Sequence, residues 1–412
     1  MATFTLFYRV LGNMLKRRLR VLIVGGLALS LLLMILFFSH SKNSTVRSKS
    51  QHSTPGFFLF GTKEGKPHHQ VLFLKVHRSG SSTVQNVLFR FAVRHDLAVW
   101  LPQGSKEHFS EDHLAWWESA GALPPPEHRY DIAFNHMVYN PTIVSLYMKP
   151  NISRVAILRE PFYRFLSSFH YYRNSFRLEY LARIPGSVPI YTYLGNQQQW
   201  EHTNPMKSQT NNRMSLDFGL DANALRNETA IRALIDRLEI QFSLVMIMEM
   251  FDESMVLLKR TLRWQTRDIL YTQRNSMHMP FQNAFSESQV ENFAKNQIAD
   301  YMLYRHFHAL LVKKIEVIGQ EFQEEVTIFK GQVKRLREWC LKATGHSLIF
   351  EATPWNERFE VKISECLMMA LDERGMMSLL RHAQSNKTTH VGSLSDINLH
   401  EILQLTSREN EM

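Results

Sequence analysis

Short apolar runs alternate with longer amphipathic segments along much of the chain. The short runs are VLFLK at 71, YDIAF at 130, SRVAIL at 153 and SLVMIM at 243, and they predict buried strands. Between and after them, apolar residues recur at helical spacing in TVQNVLFRFAVRHD, PFYRFLSSFHYYRNSF and FDESMVLLKRTLRW. Strands that alternate with helices in this way predict an α/β fold with a parallel sheet covered by helices.

The pattern from about residue 288 to residue 345 is nearly continuous helix, and the tail beyond it is mixed and weak. No internal repeat interrupts this order. We therefore predict that residues 71–412 form one domain with a helical C-terminal extension.

One uncharged apolar segment, VLIVGGLALSLLLMILFF at 21–38, precedes all of these elements and is about long enough to cross a bilayer as a helix. The alternative is a cleaved signal peptide, which has a shorter apolar core and a small-x-small cleavage site. Basic residues flank only the N-terminal side, which predicts a cytoplasmic tail at 1–20, a signal anchor at 21–38 and a type II orientation. Residues 39–70 are polar and Ser-, Lys- and Gly-rich, as expected of a stem.

The composition changes this picture little. The chain has 412 residues, 44% of them apolar, which is enough to fill a core, and its net charge is +10. Five of the 48 basic residues precede the apolar segment, and the remaining 43 face 38 acidic residues. A nearly balanced domain of this kind does not favour nucleic-acid binding.

Covalent modification is possible at a few positions after residue 38. Asn-x-Ser/Thr triplets lie at Asn43, Asn151, Asn227 and Asn386, where N-glycosylation is topologically allowed. The only cysteines are Cys340 and Cys366, which either form a disulfide in an oxidising compartment or remain two buried thiols.

The loop after the first predicted strand has the composition of an anion site. A strand, a short Ser- and Gly-rich loop and a helix present successive backbone N–H groups and a helix N-terminus to a phosphate or sulfate. The nucleotide-binding pattern G-x-x-x-x-G-K-[ST] is absent, and an ordinary serine-capped turn is the alternative. The residues that favour an anion are Lys75, Arg78, Ser79, Gly80, Ser81, Ser82 and Thr83.

A second basic position follows the strand SRVAIL. Arg159 stands at the strand end, Pro161 suits a first helical turn, and Ser167 lies about two turns along that helix. A guanidinium and a hydroxyl on adjacent elements can bracket one phosphate, although Arg159 could equally pair with an acid such as Glu160. Two anion sites at strand ends of one sheet predict a ligand with two separated anionic groups.

Histidine is the residue type best suited to remove a proton near neutral pH. Of 19 histidines, His136 directly follows the strand YDIAF and His77 lies inside the loop, so these two are the candidate bases. Each could instead be structural, His136 as a strand-end cap and His77 as a loop donor. The pairs His68-His69 and His306-x-His308 lack further ligands at zinc-like spacing, and we predict no metal site.

Six stretches in this order resemble the galactose 3-O-sulfotransferase family, which includes galactosylceramide sulfotransferase. They are LFLKVHRSGSSTVQNVLFRF, NHMVY at 135, ILREPFYRFLSSFHYY at 157, LDFGL at 216, FDESMVLLKRTLRW at 251 and LYRHF at 303. The resemblance implies a Golgi type II membrane enzyme with a P-loop-like α/β fold. It also implies 3′-phosphoadenosine 5′-phosphosulfate (PAPS) as donor and a galactosylated glycolipid or glycan as acceptor.

The same resemblance assigns roles to individual residues. It implies that Arg78 to Thr83 hold the 5′-phosphosulfate, that Arg159 and Ser167 hold the 3′-phosphate, and that His136 lies at the acceptor. The family usually has lysine where this chain has Arg78. Arginine keeps the positive charge of the lysine but is a poorer proton donor. Lys75 retains an amine close by.

Two other functions remain compatible with the sequence. One is a sulfotransferase for a different sugar, such as a uronic acid or N-acetylgalactosamine. The other is an inactive lumenal binding module of the same fold, for which the arginine at position 78 is the only support.

Overall fold

Four parallel strands form the central sheet in a computed structural model of the chain, which describes residues 66–104, 109, 129–272, 285–342 and 345–388. The strand order is β2-β1-β3-β4. Their bounds are β1 Val71–Leu74, β2 Ile132–Ala133, β3 Ser153–Leu158 and β4 Leu244–Ile247. The predicted strands and the predicted parallel sheet flanked by helices are thus confirmed.

Helices connect and cover these strands. They are α1 Ser81–Arg94, α2 Pro141–Tyr147, α3 Pro161–His170, α4 Glu179–Ala182, α5 Pro189–Gly195, α6 Gln197–Trp200, α7 Arg213–Asp217, α8 Glu228–Gln241, α9 Phe251–Leu262, α10 Thr266–Ile269, α11 Glu287–Asn296, α12 Ile298–Ile318 and α13 Gln320–Lys342. A π-helical turn, Tyr171–Ser175, extends α3, and 3₁₀ turns lie at Pro205–Lys207, Ala222–Ala224 and Met248–Met250.

The strands are largely apolar because the sheet is covered on both faces. All four residues of β1 are fully buried, and β3 and β4 are buried along nearly their whole length. Parallel strands end at one common edge, so Lys75, His136, Arg159 and Met248, which follow the four strands, are brought to the same side of the sheet. This edge carries the candidate site.

The predicted helical C-terminal part is confirmed by α11 to α13, and it is followed by a small sheet that the pattern did not indicate. After α13 the chain forms an antiparallel hairpin, β5 Ser347–Phe350 and β6 Phe359–Lys362, followed by α14 Ile363–Ala370 and α15 Glu373–Thr388. Leu371, Met377 and Leu380 of this region are fully buried in the main core cluster, and α14 and α15 both contact α1. The segment is therefore part of the core that supports the sheet edge.

Cys340 and Cys366 form a disulfide, which decides between the two alternatives left by the sequence. The bond joins the end of α13 to α14 and closes a loop with a sequence separation of 26 that contains the hairpin. It fixes the segment that returns to α1.

Replacing Cys340 with serine is expected to lower the free energy of unfolding by about 3 kcal/mol, because a closed loop of this length restricts the unfolded chain. Denaturant unfolding of the variant and of the wild type, each with and without reductant, measures this. The reduced wild type should match the variant. Equal stability of oxidised wild type and variant would show that the bond contributes nothing.

The predicted tail at 1–20, the anchor at 21–38 and nearly all of the stem at 39–70 lie outside the described residues. Within the described ranges, no helix is long and apolar enough to cross a membrane. Asn43 also lies outside them, whereas Asn151 and Asn227 are exposed and Asn386 falls within α15.

Candidate active site

The loop between β1 and α1 is shaped by its own side chains. The hydroxyls of Ser79 and Ser81 both donate to the Val76 carbonyl, at 2.9 and 2.8 Å, so these protons fold the loop on itself. Helix α1 then begins at Ser81 with no acidic residue in its first turn. The positive dipole end of this helix favours negative charge at this position.

Gly80 permits the sharp entry into α1. Its φ is +80°, in the left-handed region, and a Cβ placed there would lie 2.2 Å from the Sδ of Met248 at the end of β4. A larger residue would have to displace the Met248 side chain and adopt a left-handed conformation, so glycine is favoured here chiefly by its conformation.

Arg78 is the residue on which both predicted anion sites converge. Its backbone is also left-handed, with φ of 60°, and its Nε donates to the Oγ of Ser167 at 3.1 Å. The guanidinium lies 4.1 Å above the ring of Tyr171, and Nη1 of Arg159 donates to the Arg78 carbonyl at 3.4 Å. Arg78, Arg159 and Ser167 therefore form one continuous surface, which we call the arginine cleft.

The arginine cleft concentrates positive charge. Burial lowers the pKa of the Arg78 guanidinium, and the nearby charge of Arg164 lowers it further. Burial likewise lowers the pKa of Arg159. The negative charge of Glu249 raises this pKa, whereas the positive charges of Arg78 and Arg164 lower it further. Each guanidinium stays protonated at neutral pH, so a bound anion would relieve this repulsion.

Glu160, the acid considered as a partner of Arg159, has a clear structural role. Its carboxylate caps α3 by accepting from the Tyr163 N–H at 2.8 Å, and Pro161 occupies the first turn. The sequence order Arg159-Glu160-Pro161 thus starts a helix and leaves the arginine at the end of β3.

The two candidate histidines stack on each other beside this cleft. The rings of His77 and His136 are 4.0 Å apart between centroids and 18° from parallel. Nδ1 of His77 contacts Oδ2 of Asp217 at 2.8 Å, and its backbone N–H donates to the same carboxylate at 2.9 Å. Arg213 donates to Oδ1 of Asp217 at 2.8 Å. Burial raises the pKa of Asp217, and the charge of Arg213 opposes that change.

Hydrogen bonding selects one tautomer of His136. Its Nδ1 lies 2.7 Å from the Lys75 carbonyl, which can only accept, so Nδ1 carries the proton and Nε2 of the neutral ring has the lone pair. Burial lowers the pKa of His136 well below its usual value, and the charges of His77 and Lys75 lower it further. His136 is therefore a neutral imidazole able to accept a proton at Nε2.

Lys75 reaches the C-terminal region. The lysine is buried, with a side chain 1% exposed, and its amine pairs with Oε2 of Glu373 on α15 at 2.5 Å. The structure thus places Lys75 behind the loop, with its carbonyl on His136 and its amine on Glu373.

Sequence reasoning did not identify Asp217, Arg213 or Glu373. Asp217 lies in the LDFGL stretch that carried part of the resemblance, but no local pattern marks a carboxylate that will be buried against a distant histidine. Among the described residues, no group of three or more His, Cys, Asp or Glu side chains could hold a metal ion. His306, from the second histidine pair, instead contacts Glu239 at 2.8 Å.

Comparison with known proteins agrees with the resemblance. Residues 8–358 match the family model described as Galactose-3-O-sulfotransferase. Human Galactose-3-O-sulfotransferase 2 is 32% identical over 339 residues, which is 80% of each chain. Mouse Galactose-3-O-sulfotransferase 3 is 33% identical over 72% of this chain and 70% of its own, and bovine Galactosylceramide sulfotransferase is 28% identical over 67% and 65%. The chain is therefore a member of the galactose-3-O-sulfotransferase family of enzymes.

Proposed function

We propose that this protein transfers the sulfuryl group of PAPS to the 3-hydroxyl of a galactose residue in a glycolipid or glycan. The observation that carries the proposal is the position of a neutral histidine, His136, beside the arginine cleft on one sheet edge. This pairs a proton acceptor with cations, which is what sulfuryl transfer to a hydroxyl requires.

The residues present suit a donor with two separated anionic groups. The start of α1 and Arg78 would hold the 5′-phosphosulfate, and Arg159 with Ser167 would hold the 3′-phosphate. The crowding of Arg78 and Arg159 in a partly buried cleft supports this, because two guanidiniums at such a site are stabilised by bound anions. When bound, PAPS supplies an activated sulfuryl group on a good leaving group.

Residues of the protein remove the proton and stabilise the charge that develops during transfer. Nε2 of His136 takes the proton of the galactose hydroxyl as its oxygen forms the bond to sulfur. The bond from sulfur to the bridging oxygen breaks, and the electron pair stays on the departing phosphate. Arg78 stabilises that charge. The Lys75 amine is neutralised by Glu373, so Lys75 contributes through its carbonyl, which holds His136. His77, held by Asp217, keeps the His136 ring in place by stacking.

The acceptor and the location belong to the same proposal. The relatives' names denote transfer to galactose and, for one of them, to galactosylceramide. We infer a Golgi type II membrane enzyme with a lumenal catalytic domain at 71–412, supported by the basic residues that precede the apolar segment 21–38.

The test is transfer of labelled sulfate from PAPS by the full-length chain in detergent to a panel of acceptors. We expect 3-O-sulfated product from β-galactosides, with a glycolipid and a glycan compared directly, and none from uronosides or N-acetylgalactosaminides. Product on either of the other sugars would redefine the acceptor. Binding of the nucleotide without transfer to any sugar would instead support the inactive binding module.

A further inference from the structure

Helix α15 lies beyond the residues that match the family model, and yet it contacts the side chains of Lys75 and Asn135 next to the candidate site. The family match ends at residue 358, whereas α15 spans Glu373–Thr388. We propose that Glu373 is a positioning residue for sulfuryl transfer that acts through Lys75 on His136. This inference rests on the proposed function.

The first step of the argument is the carboxylate itself. Oε2 of Glu373 pairs with the buried Lys75 amine at 2.5 Å, and Oε1 accepts from Nε2 of Gln85 on α1 at 3.0 Å. Glu373 thus joins the end of β1 to the helix that follows the loop. A buried cation is strongly destabilised without its counter-ion, so Lys75 is held where Glu373 lies.

The second step leads from Lys75 to the base. The Lys75 carbonyl accepts from Nδ1 of His136 at 2.7 Å, which places the lone pair on Nε2. If the carbonyl moves, the imidazole loses the partner that selects its tautomer and orientation. Glu373 therefore controls the ring through one intermediate residue and does not need to contact the substrate.

A second contact from α15 supports the same strand end. Nδ2 of Asn135, the residue before His136, lies 3.2 Å from the Sδ of Met377. Both side chains are fully buried. The first turns of α15 therefore brace the two segments that carry Lys75 and His136.

A matched control is available in the same region. Glu365 on α14 pairs with Arg94 of α1 at 2.6 Å, so it also anchors the C-terminal segment to α1 through an ion pair. Its described ion-pair partners, Arg94 and Arg267, lie away from Lys75. Glu365→Gln loosens the docking of the segment without changing the partner of Lys75.

The experiment measures turnover, the acceptor KM and the Kd for 3′-phosphoadenosine 5′-phosphate with the full-length chain. For Glu373→Gln we expect kcat to fall roughly tenfold or more, with the acceptor KM and the nucleotide Kd within about twofold of wild type. For Glu365→Gln we expect all three to stay near wild type, even where thermal unfolding shows a comparable loss of stability.

A double-mutant cycle tests whether the effect passes through Lys75. In a Lys75→Met background, adding Glu373→Gln should cost no further activity. Additive losses, or equal kcat for Glu373→Gln and Glu365→Gln, would overturn the proposal. If Glu373→Gln does not fold, Glu373→Asp, which keeps the charge, takes its place in the same comparisons. A wild type without transfer activity would refute the proposed function, which is a separate outcome.

Discussion

Replacing His136 with alanine is expected to lower turnover at least about a hundredfold and to leave the affinity for 3′-phosphoadenosine 5′-phosphate nearly unchanged. Proton removal belongs to the transition state, and the His136 side chain contacts the Lys75 carbonyl and the His77 ring, neither of which is assigned to the 3′-phosphate. Single-turnover assays and calorimetric titration of the nucleotide measure the two quantities separately. His306→Ala, which removes a histidine on α12 paired with Glu239, is the matched control.

His77→Ala should behave differently from His136→Ala. The backbone and ring of His77 both bind Asp217, so the substitution changes the shape of the loop and should weaken nucleotide binding as well as turnover. If His136→Ala keeps near-normal turnover while His77→Ala abolishes it with nucleotide affinity preserved, the roles are reversed and His77 is the base.

The pH dependence of the wild type follows from the same assignment. Because burial and the neighbouring charges lower the pKa of His136 below that of an ordinary histidine, the ring stays neutral and active in mildly acidic solution. Activity should therefore persist at about pH 6.5, the unperturbed value, and fall only well below it, whereas nucleotide binding should lack this acid limb.

Replacing Arg159 with alanine is expected to weaken binding of 3′-phosphoadenosine 5′-phosphate by about 1.5 to 3 kcal/mol, or roughly 10- to 150-fold. The loss comes from a charge-assisted contact with the 3′-phosphate and from the bond that Arg159 donates to the Arg78 carbonyl. Ser167→Ala should cost less, about 0.5 to 1.5 kcal/mol, because it removes a neutral hydroxyl that also accepts from Arg78.

Isothermal titration of the three proteins against the nucleotide provides the measurement. Arg232→Ala removes the same charge from an exposed ion pair with Glu228 on α8 and should leave the affinity unchanged. Wild-type affinity in a folded Arg159→Ala protein would exclude that residue from the nucleotide site.

The sheet and half of the site could be predicted because their signals are local. Each strand is a short, largely apolar run, Arg159 directly follows one such run and His136 follows another after a single residue. The anion-binding loop could also be predicted, because basic residues, a glycine and serines follow one another in the sequence. These features depend on neighbours in sequence, which a single sequence displays.

The rest of the site depends on contacts between distant segments. Asp217 contacts His77, which is 140 positions away in the sequence. Nothing in LDFGL distinguishes that carboxylate from a solvent-exposed one. The region from 363 onward is rich in methionine, a flexible side chain that fills irregular gaps and does not mark a particular packing partner. Its burial against α1, and hence Glu373, could not be inferred from pattern alone.

Because α14 and α15 pack on α1, this contact can form only late in the synthesis of the chain. Gln85 and Glu373 are 288 positions apart, so synthesis at about 5 to 20 residues per second separates their appearance by roughly 15 to 60 seconds. During that interval the surface of α1 that later receives α14 and α15 is uncovered and accessible to chaperones. The sheet edge that carries the candidate site is therefore completed only after nearly the whole chain has been made, and a nascent chain that stalls before residue 373 lacks the carboxylate partner of Lys75.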